Sequence, residues 1–254
     1  MGTTPLRCLV TGASRGIGEA IVARLAAEGH RIALTARTAV DLERVAAAVP
    51  VETLILPADA MDPDAADRLV RHVVDAWGGI DVLVLNAGEG IASSIVKTDD
   101  EMWARQLELN LTAPFRFMRA AIPTMKAQGF GRIVVVASSA SKRGEPYIAA
   151  YTAAKHGVLG LVRSAAAELA TTGITVNAVC PGYVDTPMTR RSIEAIVENT
   201  GRSREEAERA LSEQQPTGRF VEPEEVADVV AFLVADAGQV TGQGINIDGG
   251  KVQS

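Results

Sequence analysis

The sequence has little of the chemistry that binds metal ions or forms disulfide networks. Only two cysteines, Cys8 and Cys180, occur among the 254 residues, and both lie in apolar runs typical of strands. Two cysteines cannot form a disulfide framework or a zinc site, so we expect buried free thiols. The three histidines, His30, His72 and His156, are scattered without ligand spacing. The sequence therefore predicts no metal site.

Basic stretches and long apolar runs are also missing. The formal net charge is −6 and no basic stripe is present, so nucleic acid is not an expected partner. No apolar run approaches the roughly 20 residues that a helix needs to cross a bilayer. The chain enters a strand-like run at Leu6 with no signal peptide before it. We therefore expect no membrane association and a cytoplasmic protein.

Short β-rich runs alternate with helical stretches along the whole sequence. Some runs, such as Ile133–Val136, are continuously apolar, which is typical of strands buried on both faces. The alternation predicts one α/β domain over residues 1–254, a doubly wound parallel sheet of about seven strands with helices on both faces. The predicted strands are Leu6–Thr11, Arg31–Thr35, Val51–Pro57, Val82–Asn86, Arg132–Ser138, Thr175–Pro181 and Gly244–Asp248.

Two segments differ from this alternation. Residues 186–215 lie between a strand and the next sheet-packing helix, and Ser203-Arg204-Glu205-Glu206 resembles a capping box, which predicts two short helices. An insert at the carboxyl edge of a parallel sheet lies where ligands bind, so we expect a small helical lid, with a surface excursion of no function as the alternative. The helix from Tyr151 to about Ala170 is rich in small residues, which predicts burial on more than one side and close helix packing, as in an oligomer interface.

A glycine-rich turn, Thr11 to Gly18, follows the first predicted strand and leads into a helix. Glycines permit a tight turn, and the free N–H groups of a helix N-terminus can bind a pyrophosphate. This placement predicts a dinucleotide site. Its candidate residues in the turn are Gly12, Ser14, Arg15, Gly16, Ile17 and Gly18.

The end of the second predicted strand bears on the choice of cofactor. Proteins that bind the unphosphorylated dinucleotide place an acid near this point, but here Ala36 is followed by Arg37. Two cations, Arg15 and Arg37, favour a 2′-phosphate and therefore NADP(H) over NAD(H). The alternative is that Arg37 is a solvated residue at a strand end.

Tyr151 and Lys155 lie one helical turn apart, and Ser138 precedes the tyrosine by thirteen residues. A free phenol has a pKa of about 10, and an adjacent ammonium is expected to lower that pKa because positive charge favours the phenolate. A serine hydroxyl can hydrogen-bond a substrate oxygen whose charge changes. The three residues predict proton transfer to or from an alcohol or ketone.

These features, in their order and spacing, resemble the short-chain dehydrogenase/reductase family along essentially the whole chain. The resemblance also rests on Asp59, Asn86-Ala87-Gly88, Asn110 and the segment from Pro181-Gly182 to Thr186. One position departs from the pattern, since Leu85 stands where the family more often has asparagine. The resemblance implies a Rossmann fold and a nicotinamide-dependent oxidoreductase. Because the family pairs such small-residue helices across a two-fold axis, it also implies a homo-oligomer, a tetramer or a dimer.

The resemblance also implies roles for particular residues. The implied catalytic tetrad is Asn110, Ser138, Tyr151 and Lys155. The implied cofactor-binding residues beyond the glycine turn and Arg37 are Asp59, Ala60, Asn86, Ala87, Gly88, Tyr151, Lys155, Pro181, Gly182, Val184 and Thr186. In the implied reaction NADPH delivers hydride to a carbonyl carbon while Tyr151 protonates the oxygen.

The chain is most similar to 3-oxoacyl and polyketide ketoreductases, including at Thr241-Gly242-Gln243 and Asp248-Gly249-Gly250. The implied function is reduction of a ketone, a 3-oxoacyl thioester or a related ketone, to a secondary alcohol. Gly129 and Thr172 stand where carrier-protein reductases often have arginine, which favours a coenzyme A thioester or a free ketone. Two alternatives stay open: a dehydrogenase that oxidises a secondary alcohol or 3-hydroxyacyl-CoA, and a non-catalytic nucleotide-sensing binder.

The predicted lid carries apolar and basic side chains together. An apolar wall with a basic rim would suit an acyl thioester whose carrier bears phosphates. The alternative is a solvated helix face on which the arginines pair with glutamates. The cations concerned are Arg190, Arg191, Arg202 and Arg204.

Overall fold

A seven-stranded parallel sheet forms the centre of the protein. The computed structural model describes residues 5–235 and 238–253. The strands are β1 (Arg7–Thr11), β2 (Arg31–Thr35), β3 (Thr53–Ile55), β4 (Val82–Leu85), β5 (Gly131–Val136), β6 (Ile174–Pro181) and β7 (Gly244–Ile247). They pair in the order β3-β2-β1-β4-β5-β6-β7. The predicted doubly wound α/β fold is confirmed. Strand β3 is two residues shorter than predicted at each end, β5 ends two residues earlier than predicted, and the other strand ends agree to within one residue.

Helices cover both faces of this sheet. They are α1 (Gly16–Ala27), α2 (Ala39–Ala47), α3 (Ala65–Trp77), α4 (Asp100–Leu107), α5 (Ala113–Gln128), α6 (Ala149–Leu169), α7 (Pro187–Thr200), α8 (Arg204–Ser212) and α9 (Pro223–Val234). Side chains of α3, α5 and α6 share one apolar core with the sheet, and side chains of α1, α2 and α9 share the other. A π-helical turn at Glu108–Thr112 joins α4 to α5.

Strand β5 shows why the central strands are continuously apolar. Ile133 and Val135 pack into the core beneath α3, α5 and α6, whereas Val134 and Val136 pack into the core beneath α1 and α9. Successive side chains of a strand point to opposite faces, so a strand with helices on both sides needs apolar residues at every position. All six residues of β5 are buried.

The insert at residues 186–215 contains the two predicted helices, α7 and α8. The predicted capping box is present at the start of α8, where Ser203 accepts a hydrogen bond from the backbone of Glu206 and the Glu206 carboxylate accepts one from the backbone of Ser203. Ile193, Ala207 and Leu211 form a small separate apolar core within the insert. The insert is therefore a packed unit of its own on the carboxyl edge of the sheet.

Both cysteines are buried and free, as predicted. Within the part of the chain that the structure describes, no helix is long and apolar enough to cross a membrane. The same residues contain no group of three or more His, Cys, Asp and Glu side chains that could hold a metal ion.

The turn between β1 and α1 is packed too tightly for side chains at its glycines. Gly12 adopts a φ of +64°, a left-handed value that favours glycine. A Cβ atom on Gly18 would lie 2.1 Å from the carbonyl oxygen of Gly12, so the first turn of α1 rests directly on the backbone of the loop. This contact fixes where the helix N-terminus points, at the place between β1 and β4 where the strand order reverses.

We expect Gly18→Ala to destabilise the protein by about 1–3 kcal/mol, because the added methyl overpacks a rigid backbone contact. The matched control is Gly160→Ala in α6, where a Cβ would meet no atom within 4 Å. That control should leave stability unchanged or raise it by about 0.5–1 kcal/mol, since alanine favours helix more than glycine does. Urea denaturation followed by circular dichroism measures both variants. Equal effects of the two substitutions would contradict the packing argument.

Candidate active site

A cleft of about 380 Å³ runs along the carboxyl edge of the sheet. It is lined by the loops after β1, β2, β3, β4, β5 and β6, by the start of α6 and by the insert. Every predicted site residue lines this cleft except Gly18 and Asn110. Gly18 lies behind the glycine turn, where it packs against Gly12 and does not face the cleft. The structure therefore brings the predicted residues together in one place.

Hydrogen bonds between Thr11 and Asn86 join the loops after β1 and β4. The Thr11 hydroxyl accepts from the backbone N–H groups of Asn86 and Ala87 at 3.0 and 3.1 Å. The Asn86 side-chain amide donates to the carbonyl oxygens of Thr11 and Gly12, both at 3.0 Å. Asn86 therefore orders the floor of the cleft through its side chain. Thr11 was not among the predicted site residues, although it opens the glycine motif.

The base of the insert meets the glycine turn. A Cβ on Gly16 would lie 3.1 Å from the Thr186 methyl group, and Thr186 accepts a hydrogen bond from the backbone of Thr189 at the start of α7. A Cβ on Gly182 would lie 2.1 Å from the side-chain oxygen of Gln215, so the loop after β6 packs against the far end of the insert. These contacts hold both ends of the insert beside the cleft.

Two cations and one acid lie around the end of β2. Arg15 and Arg37 both line the cleft there, and both are exposed. Neither guanidinium has an ion-pair partner among the described residues. Asp41 in the first turn of α2 lines the same end of the cleft, a carboxylate that the sequence analysis did not consider. Arg44 has a different role, because it pairs with Glu19 and donates to the carbonyl oxygen of Ser14.

Ser138, Tyr151 and Lys155 meet in the cleft where β5 ends and α6 begins. Burial raises the pKa of Tyr151 to about 12, and a hydrogen bond with the Ser138 side chain acts in the opposite direction. Burial lowers the pKa of Lys155 to about 8. The Lys155 ammonium donates to the Val136 carbonyl oxygen at 2.9 Å and lies 5.6 Å from the centre of the Tyr151 ring.

The expected direction of the Tyr151 pKa shift was therefore wrong for this structure. We expected the ammonium of Lys155 to lower the pKa of the phenol. Desolvation is the larger effect here, because the phenolate loses water on burial and the ammonium is directed at a backbone carbonyl. At neutral pH Tyr151 is accordingly a protonated phenol.

Asn110 lies in the π-helical turn and is 1% exposed. Its amide group donates to the carbonyl oxygens of Gln106 and Glu89, both at 3.0 Å, while its own oxygen has no hydrogen-bond partner among the described residues. A Cβ on Gly88 would lie 2.9 Å from that oxygen and 3.6 Å from the Lys155 ammonium. The unpartnered oxygen thus lies on the side of Asn110 that faces Gly88 and Lys155.

The cleft also contains charged and aromatic residues that no motif indicated. Glu89 and Arg105 form a two-point ion pair with distances of 2.5 and 3.1 Å. Glu145, Tyr183 and Lys251 also line the cleft, on the side of Tyr183 that contacts Lys251. These residues come from four distant parts of the sequence, so no local spacing could have grouped them.

The geometry suits a dinucleotide. Gly12, Gly16 and Gly18 leave no room for side chains around the N-terminus of α1, which presents backbone N–H groups to the cleft. Asp59 and Ala60 line the cleft after β3, and the Asp59 carboxylate accepts from the backbone of Met61 at 2.9 Å. Such a cradle can hold a pyrophosphate with the two ends of the cofactor extending to either side.

Comparison with known proteins agrees with this geometry. A family model described as Enoyl-(Acyl carrier protein) reductase matches residues 12–251. A 3-oxoacyl-[acyl-carrier-protein] reductase from Synechocystis is 37% identical over 251 residues, covering 96% of each chain. A D-beta-hydroxybutyrate dehydrogenase from Rhizobium meliloti is 37% identical over 249 residues, covering 95% of this chain and 96% of the relative.

A solved structure is equally similar. It is a variant of actinorhodin polyketide ketoreductase with NADPH, 39% identical to this chain, with a TM-score of 0.92 over 99% of both chains. Similarity of this extent covers the sheet, the insert and the cleft together. The chain therefore belongs to the short-chain dehydrogenase/reductase family, whose members are oxidoreductases that bind a nicotinamide cofactor.

Proposed function

We propose that this protein is an NADPH-dependent ketoreductase that reduces the ketone of a 3-oxoacyl thioester or a related ketone to a secondary alcohol. The observation that supports it most is the half-buried Tyr151 phenol, which is hydrogen-bonded to Ser138 and lies near Lys155 in one cleft with the glycine turn. When bound, the nicotinamide supplies hydride. The chain's own residues position the ketone and supply the proton.

In the proposed mechanism, Tyr151 donates its proton to the carbonyl oxygen. A pKa raised to about 12 keeps this proton in place at neutral pH, which suits donation to a ketone better than abstraction from an alcohol. Ser138 hydrogen-bonds the same oxygen and polarises the carbonyl. Lys155 holds the nicotinamide ribose. The unpartnered oxygen of Asn110 supports a water chain through which the proton on Tyr151 is replaced.

Two alternatives have specific observations behind them. The relative named D-beta-hydroxybutyrate dehydrogenase favours oxidation of a secondary alcohol, whereas a protonated Tyr151 is the form of the acid from which a reduction starts. The family model is described by the name of an enoyl reductase, which acts on a carbon–carbon double bond. The third possibility, a nucleotide-sensing binder, conflicts with a cleft that brings Ser138, Tyr151 and Lys155 together.

We expect Tyr151→Phe to lower kcat for a 3-oxoacyl-CoA about 10²–10⁴-fold, because the general acid is lost. The dissociation constant for NADPH, measured by fluorescence, should stay within about twofold of the wild-type value. Tyr147→Phe is the matched control, because Tyr147 is an exposed phenol outside the cleft lining.

The assay follows nicotinamide absorbance with a 3-oxoacyl-CoA, a 2-enoyl-CoA and a 3-hydroxyacyl-CoA in parallel. Faster turnover of the enoyl or hydroxyacyl substrate would contradict the proposed reaction. Activity retained by Tyr151→Phe would show that the acid is misassigned.

The proposed preference for NADPH rests on Arg15 and Arg37, which have no ion-pair partner among the described residues. Their two positive charges exceed the single negative charge of Asp41 at the same end of the cleft. The solved relative with bound NADPH supports the same choice.

We expect Arg37→Ala to raise KM for NADPH about tenfold or more, since a hydrogen bond to a charged group contributes about 1.5–3 kcal/mol. KM for NADH should change little, because NADH lacks the 2′-phosphate. The control is Arg31→Ala at the opposite end of the same strand, where Arg31 pairs with Glu52. Parallel increases for both cofactors in Arg37→Ala would contradict a phosphate contact.

We further propose that the protein forms a homo-oligomer through α4, α5 and α6. Trp103 and Phe115 are 42% and 43% exposed on α4 and α5. Helix α4 and the π-helical turn that leads into α5 both pack against the small-residue helix α6. Phe115→Glu should shift the sedimentation coefficient from that of a dimer or tetramer towards that of a monomer, because it places a charge in the apolar contact. A wild-type protein that sediments as a monomer at micromolar concentration would contradict this proposal.

A cytoplasmic location of the protein stays a prediction.

A further inference from the structure

An ion pair lies in the cleft among residues that were not predicted to bind the cofactor. The ammonium of Lys251, which follows the last strand, lies 2.6 Å from the carboxylate of Glu145, which precedes α6. Their side chains are only 6% and 11% exposed. Both residues line the same cleft as Ser138 and Tyr151. Burying two charges costs desolvation free energy that their mutual attraction often does not exceed, so stability alone does not account for such a pair beside a ligand cleft.

The ammonium of Lys251 is held by groups from three segments. Besides Glu145, it contacts the side-chain oxygen of Gln214 at 3.3 Å, just beyond α8, and lies 5.3 Å from the centre of the Tyr183 ring. An ammonium has three N–H donors, whereas the described residues place two oxygen atoms around it. It therefore retains donor capacity towards the cleft.

The ion pair is close to the proposed reacting centre. Burial is the main cause of the raised pKa of both Tyr151 and Tyr183, while Tyr183 adds to the shift at Tyr151 and Glu145 adds to the shift at Tyr183. The three side chains therefore lie within electrostatic reach of one another. Because the Lys251 ammonium lies against the Tyr183 ring, a ketone whose oxygen contacts Tyr151 can extend past Tyr183 towards Lys251. Among the residues that the structure describes, Glu145 has one further ion-pair partner, Arg143, which lies 3.7 Å away and is half exposed.

We propose that Lys251 donates a hydrogen bond to a second carbonyl oxygen of the substrate, and that Glu145 balances its charge so that this carbonyl must be uncharged. The selected substrates are 3-oxo thioesters and 3-oxo esters. A free 3-oxo carboxylate is disfavoured, because the Glu145 carboxylate repels it. This inference rests on the proposed ketoreductase function and names its substrate class.

The two members of the pair should change specificity in opposite directions. The probes are ethyl 3-oxobutanoate, the 3-oxobutanoate anion and 2-hexanone, which has no second carbonyl. Lys251→Met should lower kcat/KM for the ester about tenfold, because a hydrogen bond from a charged donor is lost, and leave 2-hexanone unchanged. Glu145→Gln should raise the ratio of kcat/KM for the anion to that for the ester about tenfold, because the cation is no longer neutralised.

Controls separate specificity from a general loss of structure. The double variant Lys251→Met with Glu145→Gln leaves no unpaired buried charge, and it should also lose the preference for the ester over 2-hexanone. Lys126→Met removes a surface lysine on α5, outside the cleft, and should leave all three kcat/KM values unchanged. The dissociation constant for NADPH should be the same in every variant.

The outcomes distinguish this inference from the function on which it rests. If Lys251→Met and Glu145→Gln lower kcat/KM for all three ketones to the same extent, the pair is structural and the proposed substrate contact is wrong. A wild-type preference for the anion over the ester would also overturn it. If the wild-type protein reduces none of the three ketones, the proposed function fails, and this inference fails with it.

Discussion

The hydrogen bonds between Thr11 and Asn86 are the contact on which the rest of the site depends. A doubly wound sheet opens a crevice wherever its strand order reverses, but the crevice binds nothing until the loops on its two sides are held at a fixed distance. Here one hydroxyl and one amide join the loop after β1 to the loop after β4. The backbone contact between Gly12 and Gly18 then orients α1. Gly16 packs against Thr186 at the start of the insert.

The site also depends on the exclusion of water from Tyr151 and Lys155, because burial determines the charge states of these two side chains. The same burial that raises the pKa of Tyr151 to about 12 lowers that of Lys155 to about 8, because both charged forms lose water. In the proposed reduction, a phenol that keeps its proton at neutral pH can donate that proton to the carbonyl oxygen. The sequence showed which residues would meet, but it could not show that desolvation would outweigh the ammonium, since burial depends on the whole fold.

Much of the fold followed from the sequence because its signals are local. Continuous apolar runs predicted the strands, and Ser203 and Glu206 predicted the start of α8 from a spacing of three residues. The glycine turn and the Ser138, Tyr151 and Lys155 trio were recognised in the same way, from short spacings and family resemblance. Glu145, Tyr183 and Lys251 could not be found by such reasoning, because each belongs to a different segment and only the fold brings them together. Asp41 was missed for a related reason, since its place in the cleft depends on where α2 begins.

Catalysis and specificity draw on the same physical property at the two ends of one cleft. In a medium of low polarity, a charge without a partner is costly, so the uncharged Tyr151 is stable there and Lys251 requires Glu145. In the proposed mechanism, the neutral phenol and the serine hydroxyl contact little beyond one oxygen atom of the ketone, so the reacting end would tolerate many ketones. Discrimination would then come from the proposed contact with Lys251 and Glu145, because specificity is a difference of affinities and an unpaired buried charge is costly. If catalysis and specificity depend on different residues in this way, relatives can share the fold and differ in the substrates for which they are named.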